Sequence, residues 1–141
     1  MNITEIEQEI VDEFALFDDW IGKYEHLIEM GKSLPLIDPQ YKTADYEIKG
    51  CQSKVWLNAQ LNGETVVYTA DSDAIITKGV IALLIRVLSN QKPDDIINTQ
   101  MEFIDAIGLK EHLSQTRSNG LVSMIKQMKL YALAFKAKMG N

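Results

Sequence analysis

The chain has 141 residues but only one cysteine, and that shortage excludes several kinds of chemistry. Cys51 has no partner for an internal disulfide, which is typical of proteins from a reducing compartment. One thiol is too few for a dithiol oxidoreductase or an iron–sulfur scaffold, and a structural zinc site is an equally poor fit. What one thiol can do alone is accept and release a single group, which is the chemistry of a covalent carrier.

Basic residues are also scarce, with 14 lysines and arginines against 20 acidic residues and a net charge of −6. This balance argues against nucleic acid as a partner, because phosphate binding needs a basic surface. Residues 1–5 lack the basic and apolar regions of a signal peptide, and the longest apolar run, residues 79–85, is too short to span a membrane. We therefore expect a cytoplasmic protein that binds neither nucleic acid nor a membrane.

The rest of the composition is ordinary for a globular protein, with 46% hydrophobic and 24% charged residues. The chain shows no internal repeat and no low-complexity tract. A chain of this length fits one domain with its own hydrophobic core. Residues 1–141 are therefore predicted to form a single domain.

Helix signals begin at the N-terminus of the chain. Thr4 and Glu7 have the spacing of a capping box, which predicts the start of a first helix. Asp18 or Asp19 is placed to cap a second helix, and Gly31 is placed to end it. These two helices are close enough in sequence to form a hairpin.

The middle of the chain carries the strand signals. Residues 32–45 are predicted to be a loop, and residues 46–49 a short strand. Apolar and polar residues then alternate over 54–61, and Asn62-Gly63 is a strong signal for a type I′ hairpin turn before a return strand. This arrangement places Gly50-Cys51 at the open end of an antiparallel hairpin.

Helix signals return in the second half of the chain. Asp71-Ser72-Asp73 is predicted to start a helix with a wide apolar stripe over 75–88, in which Gly79 indicates close backbone packing. Short helical pieces are predicted after Pro93, and the last helix has one apolar face, formed by Leu121, Met124, Ile125, Met128, Ala132 and Phe135. The predicted fold class is therefore α+β, a small antiparallel β-sheet packed against several helices.

The neighbours of Cys51 are small, polar or basic, which is unusual for a dry core. They are Lys49, Gly50, Gln52, Ser53 and Lys54. Glycine permits a sharp loop, and two nearby ammonium groups would favour the thiolate, which is the reactive form of cysteine. The local sequence is compatible with a reactive thiol at Cys51 and also with an inert, buried one.

Other polar residues give weaker signals. His26 and His112 could each act as a general base for a cysteine hydrolase, but no local motif supports that chemistry. Asp71-Ser72-Asp73 lacks the pattern of a calcium loop, so helix capping explains it more simply and no metal site is predicted. Arg117 is either a solvated side chain or a contact for an anion or a partner.

Four blocks of sequence, in this order and spacing, resemble a known family. They are residues 50–57 (GCQSKVWL), 71–74 (DSDA), 78–79 (KG), and 113–121 with its LS and RSNGL motifs. On these blocks the chain resembles the SufE family of cysteine desulfuration proteins. The resemblance implies an α+β fold similar to that of IscU-type scaffolds. At Tyr46 the chain departs from the family, which often has Asn there.

The resemblance also implies a function. Cys51 would accept persulfide sulfur from a SufS-type cysteine desulfurase, stimulate that enzyme, and pass the sulfur to a SufBCD-type scaffold for iron–sulfur cluster assembly. The chain itself would need no cofactor, because pyridoxal phosphate (PLP) belongs to the desulfurase, and we expect no turnover without that partner. The loop and partner-binding candidates are Lys49, Gly50, Gln52, Ser53, Lys54, Asp73 and Arg117.

Two alternatives and one conformational prediction accompany this hypothesis. The chain could activate a desulfurase allosterically without holding sulfur, or it could be a free-standing cysteine hydrolase. If Cys51 carries sulfur, its loop should fold the sulfur toward apolar neighbours when idle, with Trp56 as a candidate neighbour. The sequence does not decide between a monomer and a homodimer.

Overall fold

A computed structural model describes residues 1–139 of the chain. Within this range a two-stranded antiparallel sheet is combined with six α-helices, which confirms the α+β prediction. The elements in chain order are α1 (Ile3–Phe14), α2 (Trp20–Lys32), β1 (Val55–Asn62), β2 (Thr65–Ser72), α3 (Ile75–Leu88), α4 (Pro93–Asn98), α5 (Phe103–Ala106) and α6 (Gln115–Met139). No helix in the described part of the chain is both long and apolar enough to cross a membrane.

The hairpin forms where it was predicted, but its turn lies one residue later than expected. Asn62 pairs with Thr65, so the two central turn residues are Gly63 and Glu64, and Gly63 adopts a φ of +63°. A positive φ at the first central position is the pattern of a type II′ turn, in place of the predicted type I′ turn at Asn62-Gly63. The Thr65 hydroxyl donates a hydrogen bond of 3.0 Å to the Asn62 carbonyl oxygen, which supports this closure.

The sheet turns its apolar face toward the helices, and α3 fills the centre of the core. Alternate strand residues are fully buried, and so are most residues of α3. The buried Tyr68 hydroxyl donates a hydrogen bond of 2.7 Å to the Met128 carbonyl oxygen, and Tyr131 donates one of 3.1 Å to the Leu57 carbonyl oxygen. These two bonds fix α6 against the sheet, and the position of α6 matters for the site described below.

Helices α2 and α3 cross at a pair of glycines. A Cβ atom built on Gly79 would lie 2.4 Å from the Leu27 carbonyl oxygen, and one on Gly31 would lie 3.0 Å from the Gly79 nitrogen. The close packing predicted at Gly79 is therefore confirmed. Gly31 does not end α2 as predicted, because the helix continues through Lys32 and Gly31 is needed inside it for this crossing.

The predicted helix starts are partly wrong. The capping box of α1 is formed by Asn2 and Glu5, two residues before the predicted pair, and Thr4 lies inside the helix. Asp19 caps α2 as predicted, by accepting a hydrogen bond from the Gly22 N–H.

The start predicted at Asp71-Ser72-Asp73 is also wrong. Ala74 is the N-cap of α3 and has no side-chain capping bond. Asp71 and Ser72 instead extend β2, and the Asp71 carboxylate pairs with Lys42 and Lys78 at 3.0 and 3.1 Å. These ion pairs hold the end of β2 in place of a helix cap.

The segment between α2 and β1 is a loop with short turns, close to the prediction. Single 3₁₀ turns occupy Pro39–Tyr41 and Ala44–Tyr46, and the Tyr46 ring lies 4.9 Å from the Tyr41 ring. The strand predicted over 46–49 is reduced to one bridge between Glu47 and Trp56. This bridge brings the Cys51 loop to the open end of the hairpin.

Candidate functional site

Cys51 lies in a loop whose base is closed by three hydrogen bonds, two between backbone groups and one to a side chain. The Ile48 N–H donates to the Val55 carbonyl oxygen at 2.8 Å, and the Lys54 N–H donates to the Asp73 carboxylate at 3.1 Å. The Asp73 N–H in turn donates to the Lys54 carbonyl oxygen at 3.2 Å. Residues 49–53 therefore form a short loop whose base is held at the end of the hairpin.

The tip of this loop rests on α6 at two small residues. Gly50 adopts a φ of +91°, and a Cβ built on it would lie only 2.5 Å from the Ser123 hydroxyl oxygen. A Cβ built on Gly120 would lie 3.4 Å from the Cys51 sulfur. The Cys51 thiol lies 3.7 Å from the Gly120 carbonyl oxygen, where a thiol is a weak donor. The absence of side chains at both glycines thus allows the thiol to reach the helix surface.

A small cavity of about 20 Å³ lies beside the Cys51 sulfur. Its apolar lining comes from Val80 and Met124, and the other lining residues are Gln52, Ser53, Thr77, Thr116, Arg117 and Gly120. A site of roughly 10–15 Å³ by this measure holds one water-sized sphere, so the cavity has room for one further atom next to the thiol.

Trp56, the neighbour predicted for the sulfur, does not line this cavity. Its strand partner is Asp71, and the Lys42 ammonium lies 4.8 Å from the centre of its indole ring. Trp56 therefore belongs with the residues on the outer face of the hairpin, because alternate strand residues point to opposite faces. The apolar neighbours of Cys51 in the cavity are Val80 and Met124, and Trp56 is not among them.

Burial controls the ionisation of the thiol. Cys51 is half-buried, and burial raises the pKa of its thiol above the ordinary value because the protein disfavours the charged thiolate. The prediction that Lys49 and Lys54 favour the thiolate is wrong for this conformation, since both are exposed and neither contributes to the pKa shift. The resting thiol is therefore protonated at neutral pH.

The structure brings some of the predicted residues together and separates others. Gln52, Ser53 and Arg117 share the cavity with Cys51, and the Arg117 side chain is exposed at its rim in the first turns of α6. Asp73 holds the loop through the Lys54 backbone without lining the cavity. The lysine side chains at 49 and 54 lie outside the cavity.

Sequence reasoning missed the residues of α3 and α6 that receive the loop. These are Thr77, Val80, Thr116, Gly120, Ser123 and Met124. Their spacing on α6 was a usable signal, because positions 116, 120 and 123 lie on one face of a helix. That face is made of small residues, which is what a loop needs in order to approach closely.

The two histidines lie away from this cavity. His26 Nε2 is 3.0 Å from the Glu13 carboxylate and packs against the rings of Phe14 and Phe17. The His112 ring stacks on Trp20 with ring centres 3.8 Å apart. Neither lines the Cys51 cavity, so neither is placed as the base that a cysteine hydrolase requires.

Metal binding finds no support in the same region. Over residues 1–139, no group of three or more His, Cys, Asp or Glu side chains is arranged to hold a metal ion.

Comparison with known proteins assigns the family. Residues 8–132 match the family model described as SufE: Fe-S metabolism associated domain. The chain is 41% identical over 132 residues to the chloroplastic/mitochondrial SufE-like protein 1 of Arabidopsis thaliana, covering 93% of the chain but only 36% of that protein. It is 35% identical to an uncharacterized SufE-like protein of Rhizobium meliloti, covering 90% of the chain and 94% of the relative.

A third relative supports this assignment, and a solved structure has the same fold. An uncharacterized SufE-like protein of Synechocystis is 37% identical over 127 residues, covering 90% of the chain and 80% of the relative. The solution structure of a hypothetical protein from Thermus thermophilus superposes with a TM-score of 0.76 at 18% identity, covering 92% of this chain and 94% of that one. The chain belongs to the SufE family, which is associated with iron–sulfur metabolism.

Proposed function

We propose that this protein is a sulfur carrier that accepts persulfide sulfur on Cys51 from a PLP-dependent cysteine desulfurase and passes it to an iron–sulfur cluster scaffold. One observation supports this most directly. The only thiol of the chain lies at the tip of a short loop, beside a cavity with room for one further atom. A carrier needs this combination, because it must receive a single atom and hold it away from solvent.

The transfer step requires only the thiol and the partner's persulfide. The Cys51 thiolate attacks the outer sulfur of the persulfide, and a new sulfur–sulfur bond forms. The bond between that outer sulfur and the desulfurase cysteine breaks, and its electron pair goes to the desulfurase cysteine. The proton lost by Cys51 ends on the departing thiolate, so one thiol and one persulfide give one persulfide and one thiol without an external oxidant or reductant.

The resting position of Cys51 suits storage better than attack. Burial keeps the thiol protonated, and the contacts that hold its loop tip to α6 are weak, since they consist of one thiol–carbonyl contact and packing at Gly50 and Gly120. Swinging the tip outward would expose the sulfur to water and return its pKa to the ordinary range. Lys49 and Lys54, both exposed, would then flank the thiolate and the negative charge of the transfer step.

The expected partners follow from the family and from the exposed residues around the loop. We propose a SufS-type desulfurase as the donor and a SufBCD-type complex as the acceptor. Arg117 and Asp73 are both exposed next to the Cys51 loop and are the candidates for contact with these partners. The PLP in this scheme belongs to the desulfurase, and the transfer takes place in the cytoplasm.

Mass spectrometry tests the proposal. The chain is incubated with a PLP-dependent desulfurase and free cysteine, and the peptide that contains Cys51 should gain about 32 Da, one sulfur atom. Cys51→Ser is the matched control and should show no gain. If the wild-type peptide gains no mass while the desulfurase forms its own persulfide, the carrier function is rejected.

The half-burial of the thiol favours a second candidate, which the same proteins can test. A protonated thiol is a weak nucleophile, and an activator that binds a desulfurase without taking sulfur would not need a reactive one. Desulfurase turnover is measured with wild-type chain and with Cys51→Ser. Loss of stimulation in the variant supports the carrier, whereas equal stimulation by both supports an allosteric activator.

A further inference from the structure

A second cavity lies on the outer face of the hairpin, on the side of the sheet away from the helices. It has a volume of about 690 Å³, within the range of roughly 300–1,000 Å³ that is usual for binding sites. One wall is the outer face of the sheet, with Asn58, Gln60 and Thr69. The other wall is the segment 36–42, which is held to the edge of β2 by hydrogen bonds between Ala70 and the backbone of residues 35 and 37.

Asn58 is the unusual residue of this cavity. It is only 9% exposed, and no side chain or backbone group of residues 1–139 forms a hydrogen bond with its side-chain amide. The amide atoms are not sealed inside the protein either, so they open onto the cavity. The Asn58 amide therefore contributes no hydrogen bond to the fold, and its donors and acceptor are free to bond a ligand in the cavity.

The charged side chains at the cavity are already paired within the protein. Lys42 lies 3.0 Å from the Asp71 carboxylate, which also pairs with Lys78. Asp38 accepts hydrogen bonds from the backbone and side chain of Gln40. The charges of Lys42 and Asp71 therefore offset each other, and the Asp38 carboxylate, whose partners are neutral, disfavours an anionic ligand.

The groups left without partners are neutral and carry both donors and acceptors. Among the lining residues that the structure describes, they are the Asn58 and Gln60 amides and the Thr69 and Tyr41 hydroxyls, and Asn58 lies directly opposite Thr69 across the two strands. Residues two apart on one strand, such as Asn58 and Gln60, are separated by about 7 Å, which is also the two-residue repeat of an extended peptide. Peptide groups present the complementary donors and acceptors at that same spacing.

We propose that this cavity binds an uncharged, extended peptide segment of another protein, with Asn58, Gln60 and Thr69 as the groups that bond its backbone. The apolar residues Leu36, Val67 and Pro39 on the cavity walls would contact the peptide side chains. The site is separate from the Cys51 cavity and shares no lining residue with it. The proposal therefore does not depend on sulfur transfer.

Nuclear magnetic resonance tests this on the full chain labelled with ¹⁵N. The probe is acetyl-trialanine methylamide, a blocked peptide without charge, and its addition should produce saturable shifts of the side-chain amide signals of Asn58 and Gln60. Asn58→Leu should weaken binding at least tenfold, and Thr69→Val should weaken it measurably. Asn98→Ala, at the exposed end of α4, is the control and should bind like the wild type.

The melting temperature of the variant and a comparison ligand complete the test. Asn58→Leu removes an amide that makes no hydrogen bond within the described protein, so its melting temperature should stay close to that of the wild type, which separates lost binding from lost folding. Three results would overturn the proposal. They are no saturable shift up to the solubility limit of the peptide, equal binding by Asn58→Leu, or shifts produced by glucose but not by the peptide.

Discussion

The Cys51 sulfur lies 3.7 Å from the Gly120 carbonyl oxygen, and the absence of a side chain at Gly120 leaves space beside that sulfur. A methyl group at position 120 would lie 3.4 Å from the sulfur, in ordinary contact with the resting thiol. The same methyl would occupy space next to the 20 Å³ cavity, where the second sulfur of a persulfide would lie. The glycine therefore matters more for a loaded carrier than for an empty one.

Gly120→Ala should separate stability from sulfur storage. Alanine is favoured over glycine inside a helix by about 1 kcal/mol, so the free energy of unfolding should be unchanged or higher. The persulfide on Cys51, however, should be lost to glutathione several times faster than in the wild type, because its outer sulfur no longer fits the cavity. The decay is followed by mass spectrometry, with Val122→Ala on the exposed side of α6 as control. An unchanged persulfide lifetime would contradict this role for the cavity.

Gly50→Ala should release the loop from α6. Alanine at a φ of +91° is strained by about 1–2 kcal/mol, and its Cβ would collide with the Ser123 hydroxyl at 2.5 Å. We expect a lower free energy of unfolding and faster alkylation of Cys51 by iodoacetamide. Gly63→Ala is a matched control, since Gly63 also has a positive φ but no atom within 4 Å of a built Cβ. It should lose similar stability without changing the alkylation rate.

Local signals were sufficient to predict most of the fold. The alternation over residues 54–61 predicted the buried face of β1 correctly. The error of one residue in the position of the turn did not change that face. The predicted turn would pair Leu61 with Glu64, whereas Leu61 pairs with Val66. A shift of two residues returns every side chain to the same face, so the buried face was predicted correctly although the register was not, and only Leu61 near the turn is exposed against the pattern.

The errors at helix starts arise because two pairs of residues can form the same capping box, and the sequence alone does not decide between them. Asn2 with Glu5 and Thr4 with Glu7 both satisfy the capping-box spacing. The structure forms the earlier box, from Asn2 and Glu5, so Ile3 lies inside the helix with only 8% of its surface exposed. That burial depends on residues far along the chain, and a local pattern carries no information about it.

The candidate site likewise contains residues that the local sequence could identify and residues that it could not. Cys51 and its flanking residues could be found from composition and local sequence. Gly120, Ser123 and Met124, about 70 residues away, could not, because their relevance arises only when α6 packs beside the hairpin. The direction of the thiol pKa was mistaken for the same reason, since neighbouring lysines are visible in sequence whereas burial is not.

Asp73 should act on the thiol only through the loop backbone. Asp73→Ala removes the acceptor of the Lys54 N–H, a bond worth about 0.5–1.5 kcal/mol, and should speed alkylation of Cys51 by loosening the loop base. Asp73→Asn retains an oxygen that accepts the same bond and should alkylate at the wild-type rate. If Asn behaves like Ala, charge rather than the hydrogen bond is the important property of Asp73, and this account of the loop is wrong.

Gly79→Ala should be strongly destabilising. Its Cβ would lie 2.4 Å from the backbone oxygen of Leu27, so α2 and α3 would have to move apart, at a cost of about 1–3 kcal/mol or more. Gly22→Ala, near the start of α2, meets only the side chains of Phe17 and Asp19, which can move more easily than a helix backbone, and should cost much less. Urea unfolding curves measure both variants. Equal stability of the two would mean that the helix crossing does not depend on close contact at Gly79.

The reactivity of Cys51 should depend on pH in a way that only burial explains. Because burial raises the pKa of the Cys51 thiol, the alkylation rate of the folded chain should rise at higher pH than that of the chain unfolded in urea. The alanine variants of Lys49 and Lys54 should keep the wild-type profile, since neither lysine contributes to the shift. A midpoint below that of the unfolded chain would contradict the buried resting state.

The same shift links the thiol to stability, and its sign can be worked out. Above the ordinary pKa of a thiol, the unfolded chain loses the Cys51 proton while the folded chain still holds it. The folded state then binds more protons, so the free energy of unfolding contributed by this group falls as pH rises from the unfolded pKa through the raised folded one. Below the unfolded pKa the contribution is constant. Cys51→Ser should lose this slope, because serine does not titrate there, and the difference between the two unfolding curves against pH isolates it from every other group.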